Sequence, residues 1–323
     1  MSIYKPQLQK RVLSKSLALF LLLTLVAVPI RAVATSMIYG EPITINNPTP
    51  AEQDFFGSSV AISGNNALIG VPHDDTGALE AGSAYLYDAT TGALLRTFNN
   101  PTPEYDDQFG SSVSISGDKV LISAPRASSA YLYDATTGVL LKTFNSPISG
   151  GGFGTSVSIS DDKVLIGAPG AANPTDPGTT SAGSAYLFDT TTGSLLKTFN
   201  NPSPAVGDYF GNSVAISGDK VLIGTPYEDG NWADNVGSVY LYDATTGALL
   251  HNFKNPTYRE SDSSGSSAND FFGSSVAISG GKVLISAPYD DTGAFNAGSA
   301  YLFDATTSAL LYTLNNPTPA EYD

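Results

Sequence analysis

There is no cysteine in this chain of 323 residues, and histidine is nearly absent, His73 and His251 being the two there are. Without cysteine there are no disulfides and no thiolate chemistry. The two histidines sit at different phases of the repeat that organises the chain, one in a loop after proline and one in a strand. Each reads as a replacement at a tolerant site rather than as a catalytic base. Gly-x-Ser-x-Gly, phosphate-loop and zinc-ligand spacings are missing too. Paired acids could support glycoside hydrolysis, but here they recur at loop positions without a distinctive apolar setting. The chain is therefore expected to be non-enzymatic, with no catalytic and no cofactor-binding residues. Basic residues are scarce as well, 15 against 30 acids, for a formal charge of −15. That argues against a nucleic-acid partner, which demands a basic face, and against anionic membrane surfaces. It suits cation binding, a saline milieu or plain solubility.

Long apolar runs are lacking except for one, Leu17 to Val28. Lys5, Lys10, Arg11 and Lys15 precede it and Ala32-Val33-Ala34 comes after it, in the order of basic region, apolar core and small-x-small cleavage pattern. The run is short for a span, which takes roughly 20 residues. Residues 1–34 are thus expected to be a signal peptide, the alternative being an uncleaved amphipathic or anchoring N-terminus. The expected location is secreted or at the cell surface, with no membrane attachment after leader cleavage. The leader holds five of the 15 basic residues and none of the acids, so the remainder of the chain is more acidic still.

What the chain does have is a repeat. Phe56-Gly57 returns as Phe109-Gly110, Phe153-Gly154, Phe210-Gly211 and Phe272-Gly273. Each time a Gly/Ser-x-Pro triplet comes at the same distance, starting at Gly70, Ser123, Gly167, Gly224 and Ser286. Self-similarity at such a period marks a repeat architecture. Each unit reads as four short strands. The first alternates, as Val60 and Ile62 do in Ser59 to Ser63, and a two-residue turn such as Gly64-Asn65 leads to the second. Proline ends the second strand, since it cannot donate to a ladder. The third, Ser83 to Asp88, is apolar throughout and so expected to be buried on both faces. Asp-Ala-Thr-Thr-Gly, at Asp88 to Gly92, makes the turn into the fourth, with glycine in the left-handed position. The fifth copy has Ser308 in place of that glycine. Four antiparallel strands per unit, apolar on both faces, predict an all-β propeller of face-packed blades. It would span 35–323, with repeats at about 54–103, 107–147, 151–204, 208–257 and 270–319.

Ile43 to Asn47 resembles a fourth strand with no unit before it, so the expectation is five complete repeats plus one extra N-terminal strand. That strand would compete with Ala309 to Leu314 for one edge. Either the chain is a fragment of a longer propeller, or the spare strand caps an edge or pairs with another chain, because an open edge invites association.

The turns within strand pairs one-two and three-four keep their length, while the other connections vary. Antiparallel geometry puts the constant turns at one end of every blade and the variable loops at the other, where specificity would be written. The variable loops carry most of the acids. On that face the expected ligand-contacting residues are Trp232, Glu228, Asp229, Tyr227, Arg126 and Tyr289. Asp74-Asp75 and its near copy Asp290-Asp291 are the candidates for a cation, calcium first, against the reading of solvated turns in which aspartate caps backbone amides.

These residues resemble the FG-GAP repeat family, whose best-known members are the propellers of integrin α subunits. Gly167-Ala168-Pro169 is a literal match to the second half of the motif. The resemblance implies a propeller that binds an extracellular protein or glycan on its loop face, often in adhesion. It departs at calcium. Integrin-type units bind it in an acidic loop between strands one and two, and here that connection is only Ser116 to Lys119 or Ser217 to Lys220. Two turn residues cannot supply six to eight oxygens. The rival expectations are a structural surface-layer or matrix protein assembling through its repeats, and a propeller-scaffold hydrolase or quinoprotein-like enzyme.

Overall fold

A computed structural model describes residues 42–230, 235–257 and 269–318. The leader assigned to 1–34 and Trp232 lie outside the described residues. Residues 43–323 form a unit of their own. Blade 1 is the antiparallel meander β1 (Ser59–Ser63), β2 (Asn66–Val71), β3 (Ser83–Asp88) and β4 (Leu94–Asn99). Blade 2 repeats it as β5 (Val113–Ser116), β6 (Lys119–Ala124), β7 (Ser129–Asp134) and β8 (Leu140–Asn145). Blade 3 comprises β9 (Ser156–Ser160), β10 (Lys163–Ala168), β11 (Ser184–Asp189) and β12 (Leu195–Asn200). Blade 4 comprises β13 (Ser213–Ser217), β14 (Lys220–Thr225), β15 (Ser238–Asp243) and β16 (Leu249–Lys254). Blade 5 comprises β17 (Val276–Ser279), β18 (Lys282–Ala287), β19 (Ser299–Asp304) and β20 (Leu310–Asn315). The chain is thus an all-β propeller-like repeat with no helix among the described residues.

Sequence explains each element locally. In β3, every residue from Ser83 to Tyr87 is buried, because one face meets blade 2 and the other carries the cluster of Ile69, Val71, Tyr85 and Tyr87. The turn after β3 is held by Asp88, whose Oδ1 accepts the Thr90 and Thr91 amides at 2.8 and 2.9 Å. Gly92 there has φ 72°, and Ser308 at the same place in blade 5 has φ 56°, a left-handed conformation that opposes a side chain. Each blade also shifts register by one residue between its third and fourth strands, at Leu86/Tyr87 in blade 1.

Packing runs between blades. The inner strands contact one another in series, β1 on β5, β5 on β9, β9 on β13 and β13 on β17. Four apolar clusters fill the joints, each centred on the phenylalanine of a Phe-Gly pair: Phe109, Phe153, Phe210 and Phe272, all with no exposed surface. Burying one such side chain contributes roughly 2–3 kcal/mol. Its glycine does the rest. Gly110 has φ 99°, and a Cβ there would strike Ser83 O and come within 2.9 Å of Val71 N in the blade before. A Cβ on Gly70 would strike Gly110 O. The two glycines let the backbones of adjacent blades touch.

Serines add a second tie. Ser59 Oγ accepts the Val113 amide at 2.7 Å, Ser112 Oγ accepts Val157 N at 3.1 Å and Ser158 Oγ accepts Ile216 N at 3.1 Å. The alternating serines of the first strands thus stitch each blade to the next.

The extra N-terminal strand is corrected in one respect. Residues 43–47 pair with no strand among the described residues. They nonetheless occupy the place of a fourth strand relative to blade 1. Ile45 packs on the Tyr85 and Tyr87 cluster, and Tyr87 OH donates to Asn46 O at 2.9 Å, as Tyr133 OH does to Asn99 O at 3.5 Å. Ile43 lies over Gly92 as Arg96 lies over Gly138. Among the described residues no third strand lies beside them, so no ladder forms there.

Two substitutions test this arrangement. Gly110→Ala should destabilise the fold by more than about 3 kcal/mol in a denaturant titration, through combined backbone strain and clash. Ser308→Gly should stabilise it by about 1 kcal/mol by relieving the left-handed side chain.

Candidate functional site

The variable connections meet at one end of the blades, and many of their acids turn out to be buried. Asp54, Asp107, Asp208 and Asp270 stand two residues before the Phe-Gly phenylalanines and are 5, 6, 2 and 7% exposed. Each accepts the side-chain amide of the asparagine at the end of the preceding fourth-strand segment. The pairs are Asn47–Asp54, Asn100–Asp107, Asn201–Asp208 and Asn255–Asp270, all at 2.7 Å. Asp54, Asp107 and Asp208 also accept a loop amide, from Ala51, Glu104 and Ala205. These carboxylates clamp the connections between blades. The connection into blade 3 has Ser146 and Pro147 in place of Asn-Pro and carries no such clamp.

The cation candidates are engaged similarly. Asp74, 3% exposed, accepts Thr76 N at 2.8 Å through Oδ1 and Tyr85 OH at 3.0 Å through Oδ2, with Thr49 Oγ1 at 3.3 Å. Asp290, 1% exposed, accepts Thr292 N at 2.8 Å, Thr257 Oγ1 at 2.7 Å and Tyr301 OH. Burial pulls both carboxyls upward, but the hydrogen bonds outweigh it and hold them below the ordinary value. Tyr85 is pushed up to about 12, by burial first and by the Asp74 charge. Asp75 and Asp291 are exposed and cap the turn, accepting Glu80 N at 2.9 Å and Asn296 N at 2.8 Å. No group of three His, Asp or Glu side chains suited to a metal ion occurs among the described residues.

Glu228 plays the same part in blade 4. It is 7% exposed, accepts Tyr240 OH at 2.6 Å and pairs with Lys254 at 2.7 Å. Asp229, its exposed neighbour, accepts Asn235 N at 2.9 Å. Blade 2 departs from this arrangement, because its second and third strands are joined by the short stretch 125–128 and no acid reaches Tyr131. Tyr131 OH instead shares a hydrogen bond with Thr102 Oγ1, at 3.4 Å. A cavity of about 790 Å³ opens there, lined by Thr102, Asp106, Arg126, Tyr131 and Asn145 among others. Arg126 lies at its edge, 65% exposed, with Nε 3.9 Å from Asp106.

Tyr227 and Tyr289 belong to a feature that sequence reasoning missed. Tyr209, Tyr227, Phe271 and Tyr289 form a continuous row, with successive ring centroids at 5.1, 5.0 and 5.4 Å, each pair edge to face. The three tyrosines are 37, 39 and 49% exposed. Tyr209 and Phe271 precede the Phe-Gly pairs and have φ 55° and 51°, the left-handed conformation that this position takes in every blade, at Phe55, Gln108 and Gly152 as well. Tyr227 and Tyr289 come directly after the prolines that end β14 and β18. A shorter counterpart lies in blade 1, where Phe55, φ 55°, meets His73 at 4.9 Å. The signal was present as aromatics at both repeat positions, but their pairing across the loops is a matter of the fold.

Two clamp carboxyls are shifted the other way. Asp270 rises to about 7, by burial first and then by the charges of Asp290 and Asp291. Asp208 rises to about 6, by burial and then by Glu228, with Asp229 also contributing. A raised carboxyl binds its proton more tightly when folded. The stability it contributes is therefore full below its ordinary value of 3.8 and is lost as pH rises through about 6 and about 7. Asp270→Asn keeps an acceptor for Asn255. It should flatten the fall in melting temperature that linkage predicts for the parent chain between about pH 4 and pH 7. An unchanged slope would show that Asp270 titrates normally.

The repeat geometry agrees with comparison to known proteins. The family model described as FG-GAP repeat matches residues 49–87, 103–133, 149–188, 203–242 and 263–303. No curated protein matches the chain. Among solved structures, BamB from Moraxella catarrhalis aligns over 82% of this chain and 66% of its own length, at 17% identity and a TM-score of 0.44.

Proposed function

Since the chain belongs to the FG-GAP repeat family, which is defined by a repeat and not by a reaction, we propose that it is a non-enzymatic binding module of the adhesive kind. Its ligand is an extracellular glycan or protein met by the loop face. One observation carries the reading: the row Tyr209, Tyr227, Phe271 and Tyr289, whose three tyrosines are exposed around a half-buried Phe271. Four rigid rings offer a large contact area at low entropic cost, and tyrosine presents an apolar body with a polar tip. Sugar rings, with apolar faces and hydroxyl rims, match that surface. The acidic balance of the chain favours a neutral saccharide over an anionic polymer.

Two further points support it. Several of the acids expected on the face, such as Asp54, Asp74, Asp107 and Glu228, are buried, which makes the aromatic row a distinctive exposed feature beside the acids that remain, Asp75, Asp229 and Asp291 among them. The leader-like sequence at 1–34 fits a protein that works outside the cytoplasm, secreted or at the cell surface. His73 meets Phe55 edge to face and His251 bonds the Thr306 carbonyl at 3.0 Å.

The test is a glycan-array screen of the parent chain with titration of the best hit. Tyr227→Ala with Tyr289→Ala should weaken binding at least about tenfold while the melting temperature holds, as expected when anchoring side chains are truncated. Binding that survives the double substitution overturns the aromatic row as the site. A blank array with capture of a defined matrix protein moves the ligand class from glycan to protein.

A further inference from the structure

The four joints between consecutive blades are built alike, with the leucine-bearing trailing face of one blade packed on the Val/Ile/Tyr leading face of the next. Two such faces have no partner among the described residues. On the leading face of blade 1, Val60 and Ile62 are each 70% exposed, whereas Val113 and Ile115 at the same places in blade 2 are at 7 and 8%. On the trailing face of blade 5, Leu284 is 38% and Leu314 52% exposed, whereas Leu222 and Phe253 in blade 4 are at 0 and 3%. Polar groups show the same pattern. Ser275 and Ser279 stand where Ser59 and Ser63 do in blade 1, whose hydroxyls accept the Val113 and Gly117 amides of the next blade. Among the described residues no next blade meets Ser275 and Ser279.

One place in such a contact is already claimed. Residues 43–47 fill the fourth-strand seat in front of blade 1, with Ile45 where Phe98 sits in front of blade 2. A blade arriving in the register of the internal joints brings its own fourth strand to that seat. In blade 5 this is β20, paired along β19 like the other fourth strands but with all six of its residues exposed. Leu314 replaces the phenylalanine of the other blades, and its turn carries Ser308 in the left-handed conformation.

We propose that blade 5 of one copy docks on blade 1 of a second copy, residues 43–47 of the second copy taking the place of β20 beside β19. The occupant is a second copy because the two open faces are each other's complement by the pattern of the chain's own four joints. The contact is heterologous, head to tail, so further copies add in series. It is independent of the ligand proposed for the loop face.

Sedimentation of the 323-residue chain over an about hundredfold range of concentration tests it, since association by mass action must grow with concentration. The parent should shift from one copy to two and more. Val60→Asp with Ile62→Asp, and separately Leu284→Asp with Leu302→Asp, should each leave single copies. An equimolar mixture of the two should form pairs and nothing longer, because one live head and one live tail remain. Ser308→Gly with Leu314→Phe, which strengthens β20, should weaken association at least about tenfold. In the associated parent, hydrogen exchange should slow in 43–47 and quicken in β20. The proposal is overturned by a parent that stays single throughout, by association that the face variants retain, or by a mixture that fails to pair. It is overturned equally if the β20 variant associates as well as the parent. Circular-dichroism melts no lower than the parent's separate loss of contact from loss of fold, and the exchange data rest on the parent alone.

Discussion

The close approach of backbones at each joint between blades is the constraint on which the remaining structure depends. Phe109 can be fully buried only because Gly110 turns away at φ 99° and lets Gly70 lie against its carbonyl. A side chain at either glycine would hold the blades apart, and the apolar cluster behind them would open to water. The spacing of the Phe-Gly and Gly/Ser-x-Pro elements is therefore one statement made from two sides. Where serine replaces the glycine, at Ser123, the fit is taken up differently: its Oγ accepts the Ser112 amide at 3.1 Å, and a Cβ on Gly154 would lie 3.2 Å from its Cβ.

That constraint sets the division of labour along each blade. Inner strands carry the serine stitches, middle strands the double-faced apolar load, and outer strands such as Leu94–Asn99 are largely exposed. The loop end is secured by carboxylates whose protons and partners are internal to the fold. Three of them serve through a tyrosine hydroxyl, Asp74 with Tyr85, Glu228 with Tyr240 and Asp290 with Tyr301. With those groups buried, the loop end keeps the aromatic row beside a smaller set of exposed acids, Asp75, Asp229 and Asp291 among them.

Much of the architecture was legible in the sequence because it rests on local rules. Alternation gave Val60 and Ile62 one face, the unbroken run Ser83 to Asp88 announced two buried faces, and Asp88 with Gly92 announced the turn. The left-handed site was legible even where glycine was lost, at Ser308. What could not be read was the use of the polar groups. A carboxylate in a sequence declares charge but not burial, so Asp54, Asp107 and Asp208 looked like surface and proved to be clamps. The serines of the first strands looked like the wet side of an alternation and proved to be ties. The aromatic row joins residues such as Tyr209 and Tyr227 from opposite flanks of one blade's inner hairpin, and a repeat pattern ranks them as variable rather than as neighbours.

The connection into blade 3 alters how the molecule would bear load. Every other described connection is pinned by an asparagine and an aspartate, while this one runs through Gly150, Gly151 and Gly152, all at positive φ. Blades 2 and 3 are still joined by their apolar cluster and by Ser112 and Ser114. Under shear or tension, however, a series of nearly equal joints yields first at the one missing a fastener. The fold thus carries a preferred line of parting, two blades on one side and three on the other, set by a few residues that contribute nothing to its core.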